Sequence, residues 1–329
     1  MRRREFLLVA GGAASIPLTR PLVTFAQQAG KRLVGIVAGF SPSEMEPLLT
    51  AFRDQLDKLG WAEGRNLTLD VRLGAGDFKR MTDNTAGLIA LKPDVILAQG
   101  TPGLTAVRHY TRSLPVVFLL VADPVKMGLI ESLAHPGGHA TGFTNFEFSI
   151  GGKWLELLRD VNPQLAHVSS ITNPANPNSQ QFSEFIEGSG RAVSVDVDTA
   201  SVRNAVEIEA AIAACAQRSN GGLIVLPDSL AVVNRELIIE LAARYRLPAV
   251  YPFRIFSENG GLMSYGLDIP DLYRQAATYV DRILRGEHPS ELPVQAPNKF
   301  ELVINLKTAK ALGLSVPPSL LGRADELIE

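Results

Sequence analysis

Short, continuously apolar runs alternate with helix-length segments along this chain, and that alternation leaves few folds open to it. Residues 33–38, 95–98, 115–119 and 222–226 are apolar throughout rather than at every second position, as strands buried on both faces are. Helix-length segments separate them: 44–59, closed by Gly60, then 78–91, then a stretch ending near residue 112. With 67–72 as another strand, this spacing predicts a parallel sheet with helices on both faces. The pattern begins again near residue 142. Helix 151–161, strand 167–172, helix 178–188, strand 192–197, helix 203–218, strand 222–226, helix 231–245 and strand 248–251 follow in order. The expected class is α/β, with two Rossmann-like lobes whose parallel sheets are flanked by helices. A chain of 329 residues, 46% of them hydrophobic, is large enough for two cores.

The tail does not read as a third domain. Strand 262–266, helix 268–284, strand 299–306 and helix 307–312, closed by Gly313, are too few to stand alone and must extend sheets already built. The chain is expected to cross back to the first lobe near 251–256 and to the second near 287–300. Lobe 1 is then 30–143 with 254–286, and lobe 2 is 144–252 with 287–329. Several crossovers at the base of a cleft form a multi-stranded hinge.

The N-terminus reads as a signal peptide over 1–26. Arg2, Arg3 and Arg4 lead into an apolar Gly/Ala-rich run through Leu18, and Thr24-Phe25-Ala26 offers small residues for cleavage after Ala26. The paired arginines before Phe6-Leu7 resemble the twin-arginine export signal. The apolar run is too short to span a bilayer comfortably. A periplasmic protein that is not membrane-embedded is the expectation. The segment carries four arginines and one glutamate, so its removal takes the net charge from −2 to −5. A mildly acidic chain argues against nucleic acid as a partner. The single Cys215, in an Ala-rich helical run, excludes an intramolecular disulfide and any multi-cysteine metal site.

The loops that follow strands carry the chemistry, because open α/β sheets bind ligands beyond the carboxyl ends of their strands. Lys92-Pro93-Asp94, an apolar strand, then Gln99-Gly100-Thr101-Pro102-Gly103 entering a helix aims backbone N–H groups at the space above the sheet. Such a turn can seat a carboxylate or phosphate, or can be an ordinary strand-to-helix turn. The lysine and glycine spacing of a nucleotide phosphate loop are missing.

Several motifs together resemble one family. They are Lys92-Pro93-Asp94-Val95-Ile96 with Gly100-Thr101-Pro102, Ala122-Asp123-Pro124-Val125, and His135-Pro136-Gly137-Gly138 with Thr141-Gly142 and Asn145. Asn173-Pro174-Ala175-Asn176-Pro177, Leu226-Pro227-Asp228, the stretch from Gly260 to Gly266, and that from Lys299 to Lys310 continue them in unbroken order. The chain from about Lys31 onward resembles the ABC-transporter substrate-binding proteins that include the tryptophan-binding lipoproteins. The resemblance implies a type I periplasmic-binding-protein fold closing on a small amino-acid-like solute, aromatic amino acids being the known ligands of the family, that is passed to the transmembrane subunits of an ABC permease. A monomer, no cofactor and no enzymatic activity are the expectations. An alternative is a periplasmic sensory module that presents its closed form to a signalling receptor. The lipoprotein relatives are anchored through a cysteine at the mature N-terminus, and no cysteine lies near Ala26 here.

An amino acid held between lobes needs N–H and hydroxyl donors for its carboxylate, an acceptor for its ammonium and apolar faces for its side chain. Gly100, Thr101 and Ser41 are the expected donors. Asp123 and Asp228 are the acceptor candidates, each of which can equally be a cap or turn residue. Asn145 and Asn173 can donate and accept, and Phe40 and Tyr251 can cover an apolar side chain. No nucleophile elbow, zinc-protease helix or dinucleotide fingerprint occurs, and the five histidines are scattered. No metal site is expected.

Overall fold

The computed structural model describes residues 30–297 and 300–329; the export signal expected over 1–26 lies outside them. The first half runs β1 (Arg32–Ala38), α1 (Pro42–Lys58), β2 (Leu67–Leu73), α2 (Phe78–Ala90), β3 (Val95–Gln99), α3 (Gly100–Tyr110), β4 (Val116–Val121) and β5 (Ala140–Thr144). These strands pair in parallel in the order β2-β1-β3-β4-β5. The second half runs α4 (Ile150–Val161), β6 (His167–Thr172), α5 (Ser179–Ala192), β7 (Asp196–Ser201), α6 (Ala205–Ala216), β8 (Gly221–Val225), α7 (Ser229–Val233), α8 (Arg235–Arg244), β9 (Ala249–Tyr251), α9 (Arg254–Glu258) and β10 (Met263–Gly266). Then come α10 (Ile269–Leu284), β11 (Glu301–Asn305), α11 (Leu306–Leu312), α12 (Pro318–Leu321) and β12 (Glu326–Ile328). The second sheet has the order β12-β11-β10-β9-β8-β6-β7, parallel except where β10 meets β11.

The two sheets share a plan. In each, the first strand of the half lies between the second and the third, so the order reverses at β1/β3 and again at β6/β8. Neighbouring crossovers at such a point leave on opposite faces, which opens a crevice at the strand carboxyl ends. Burial matches position. The central β3, β4 and β8 are buried at every residue, whereas the edge strands β2 and β7 are half exposed and carry charges. Helix α1 turns Met45, Leu48, Leu49, Phe52 and Leu56 to the core at helical spacing. A capping box between Ser41 and Glu44 starts it.

The structure corrects several boundaries. The helix expected over 231–245 is two helices that meet at Asn234, whose amide donates to the Leu230 carbonyl at 2.8 Å. The strand expected over 192–197 begins at Asp196, because α5 continues to Ala192 and Ser194 turns with φ 57°. Strands β5 and β12 were not anticipated: β5 is five residues with a glycine at its centre, and β12 has three.

The crossings between halves also differ from those expected. Residues 254–266 stay with the second sheet, since β10 pairs in parallel with β9 and antiparallel with β11. Residues 287–295 stay with the first half. Leu292 accepts the Thr141 hydroxyl at 2.6 Å, the Tyr279 hydroxyl donates to the Pro293 carbonyl at 2.7 Å, and Gln295 bridges to Phe143 beside β5. The second crossing is therefore at 267–268 rather than 251–256, and the third lies beyond Gln295. Helix α10 sits on α1, with Trp61 Nε1 donating to Asp281 at 2.7 Å. No helix among the described residues is long and apolar enough to cross a membrane.

Candidate functional site

A cavity lies where the two order reversals face each other. Gly39 and Phe40 reach it from the loop after β1, Gln99 to Pro102 from the turn after β3, Asn176 and Asn178 from the loop after β6, and Pro227 to Ser229 from the loop after β8. Asn145, Phe182 and Phe253 complete the wall beside Met81 and Leu120. Its volume is about 40 Å³. Pockets that hold drug-sized ligands run to roughly 300 Å³ or more. A solute the size of an amino acid enters only if these walls move.

The halves touch across the cavity. Asn178 Nδ2 donates to Thr101 Oγ1 at 2.7 Å, joining the start of α5 to the start of α3. A β-carbon placed on Gly39 would fall 2.2 Å from Ser229 Oγ, so the first loop lies directly against the start of α7. On the first half, the Gly39 N–H donates to Gln99 Oε1 at 2.9 Å, which ties the two loops at the reversal together. Gly100 adopts φ 73° where β3 turns into α3, and in the first turn of that helix, where Pro102 carries no N–H, the Thr101 and Gly103 N–H groups have no intrahelical partners.

The second half presents a carboxylate. Asp228 caps α7 through the Leu230 N–H at 2.8 Å and accepts the amides of Asn176 at 2.9 Å and Asn173 at 3.2 Å. Burial pushes its carboxyl above the ordinary 3.8, and the Asn176 amide, the Leu230 N–H and the Asn173 amide pull it back only in part. Two further acceptors in the wall, Asn145 Oδ1 and Asn178 Oδ1, are buried without a hydrogen-bond partner. Unpaired buried acceptors of this kind are uncommon in folded proteins. The cavity thus joins the start of α3 and the orphaned Asn145 oxygen, which follows β5 and is tied to Val121 of β4, with the Asp228 carboxylate and the orphaned Asn178 oxygen of the second half.

Of the residues singled out from sequence, Phe40, Gly100, Thr101, Asn145 and Asp228 meet at the cavity. Asn173 does not line it but holds Asp228 in place. Ser41 is spent on its capping box with Glu44. Asp123, at φ 38°, accepts the Lys126 N–H at 3.1 Å and faces a different groove, because the loop after β4 turns away from the reversal point. Tyr251 lies inside β9, 1% exposed and stacked on Phe256 at 4.8 Å, so it is core. Sequence reading missed Gln99, Asn176 and Asn178. The signal was present: all three sit at or just after strands that flank an order reversal, but the reversal itself is not written in the sequence.

The chain matches the family model for ABC transporter substrate binding proteins over residues 33–328. It belongs to that family. This is a solute-binding family and not one of enzymes. The chain is 25% identical over 281 residues to a tyrosine-binding protein of Clostridioides difficile, covering 85% of this chain and 81% of that one. A conserved domain protein from Vibrio cholerae superposes with a TM-score of 0.84 at 26% identity, over 90% of this chain and 99% of that one. The ABC domain in complex with L-Trp from Streptococcus pneumonia superposes at 0.83 with 22% identity, over 91% and 100%. The fold is that of type I periplasmic binding proteins. Among the described residues no cluster of His, Cys, Asp and Glu is arranged to hold a metal ion. Burial pushes the Cys215 thiol up to about 11, which leaves it a packing residue and a poor nucleophile.

Proposed function

We propose that this protein is the periplasmic receptor of an ABC importer and captures a small zwitterionic solute of the amino-acid type, aromatic amino acids foremost, between two closing lobes. The observation that carries the reading is the meeting, in one interlobe cavity, of the N-terminal start of α3 at Gly100 and Thr101 with the Asp228 carboxylate and the orphaned oxygens of Asn145 and Asn178. A carboxylate suits the first set and an ammonium the second. Phe40, Phe182 and Phe253 supply aromatic faces for a side chain. The relatives named for tyrosine and found with L-Trp support the choice of solute class. Removal of the export signal would release the mature chain as a freely diffusing monomer that hands its solute to the permease.

Purified mature protein is expected to melt at a higher temperature with an amino acid bound. At a hundredfold excess over the dissociation constant, the added stability is ~2.7 kcal/mol. A panel of the twenty amino acids and aromatic carboxylates without a shift would remove this reading.

The pH dependence has a definite sign. Because the Asp228 carboxyl is raised in the folded protein, its contribution to ligand-free stability is full below the ordinary 3.8 and is lost as pH rises through the raised folded value. A bound ammonium favours the ionised form. Affinity is therefore expected to rise with pH across that same window and then level off, as isothermal titration at several pH values would show. A flat profile there counts against contact between Asp228 and a cation.

A further inference from the structure

Behind the cavity loops an ion pair joins the halves. Glu44, at the third position of α1, faces Arg235, the first residue of α8, and Glu44 Oε1 accepts Arg235 Nη1 at 2.5 Å. Their side chains are only 6% and 16% exposed, whereas a surface pair such as Lys79 and Asp83 is exposed at 84% and 60%. Such a pair is little screened by water or salt. We propose that the Glu44–Arg235 pair is a latch that holds the halves closed and sets how long the solute stays. The proposal rests on the receptor reading above.

Its chemistry suits a reversible contact. Glu44 divides its two oxygens: Oε2 accepts the Ser41 N–H at 2.9 Å and the Ser41 hydroxyl, while Oε1 reaches across to the other half. The loop it anchors contains Phe40, a cavity wall. Arg235 follows α7, the helix capped by Asp228, and its Nη1 also donates to the Val232 carbonyl at 3.1 Å. Both ends of the bridge thus sit one short element behind a cavity loop. Arg235 Nε is buried without a partner, so the guanidinium is not fully compensated. Closing strips water from both charges and returns one strong contact, which leaves the pair near balance. On opening, Glu44 keeps its cap on α1 while both charges regain water.

Glu44→Gln isolates the charge, because glutamine still completes a capping box. Arg235→Gln removes the other charge, and Arg235→Lys keeps it while losing the planar fork. Stopped-flow measurements with L-tyrosine and L-tryptophan are expected to show dissociation about tenfold faster in Arg235→Gln and Glu44→Gln, a change of ~1.4 kcal/mol. Association should change little, Arg235→Lys should recover part of the loss, and the double variant should be no worse than either single one. Fully additive effects, or a loss confined to association, would overturn the latch. A second measurement separates failure of the latch from failure of the receptor reading. In full-length mature protein without added solute, spin labels on Lys79→Cys and Glu240→Cys report the distance between halves. A short-distance population present with Arg235 and lost in Arg235→Gln supports the latch even if neither amino acid binds; identical distributions overturn it.

Discussion

Replacing Asp228 with asparagine is expected to weaken binding of an amino acid about a hundredfold at neutral pH, or ~2.7 kcal/mol. Truncating one partner of a desolvated, hydrogen-bonded charge pair typically costs ~2–5 kcal/mol. The shape of the site changes little, since asparagine can still cap α7 through the Leu230 N–H. Its new amide would face the amides of Asn176 or Asn173, which now donate to the carboxylate at 2.9 and 3.2 Å, so one of those must turn. That rearrangement is offset by relief of a buried charge, and the melting temperature of the ligand-free protein should move little. The pH dependence of affinity should flatten in the same variant, because the titrating group is gone. Isothermal titration of both proteins from acid to neutral pH checks both statements. Equal affinities at neutral pH would take Asp228 out of the solute's reach.

The second large effect concerns stability rather than binding. A β-carbon on Gly266 would stand 1.8 Å from the Pro252 carbonyl oxygen and 2.9 Å from its carbon. Both obstacles are backbone, so no side chain can swing away. Gly266 ends β10 immediately before the chain crosses to α10, where the backbone of the second half runs close beside it. Gly266→Ala is expected to cost more than ~4 kcal/mol, at the diagnostic end of single substitutions. Gly87 makes the contrast: a β-carbon there meets nothing within 4 Å, in the interior of α2. Gly87→Ala should leave the protein unchanged or stabilise it by ~0.5–1 kcal/mol. Thermal unfolding followed by circular dichroism compares the two, and a Gly266→Ala protein that melts with the wild type would refute the steric argument.

The α/β class was legible because strands buried on both faces must be apolar at every residue. Residues 33–38 and 95–98 advertise β1 and β3 in that way, and α1 carries both its core stripe and its cap in sequence. Strand β5 was illegible: five residues around Gly142 are held by the neighbouring β4 and by Gln295, far along the chain. The same long-range pairing moved the crossings. Residues 263–266 look alike whether they extend one sheet or the other, and their partners at 250–251 and 301–304 decide.

The candidate site divides in the same manner. Phe40, Gly100, Thr101 and Asp228 could be read from sequence because each follows a recognisable strand and has the chemistry a zwitterion needs. Asp123 and Tyr251 satisfied the same criteria and lie elsewhere, one on a loop that turns to another groove and one inside a strand. The sequence alone determined the alternation of strands and helices, the repeat of that plan and the family. Only the tertiary structure decided which loops meet, because an order reversal is a relation between strands distant in the chain. Asn176 and Asn178 enter the cavity, and Glu44 finds Arg235, for that reason: two sheets bring their reversals face to face.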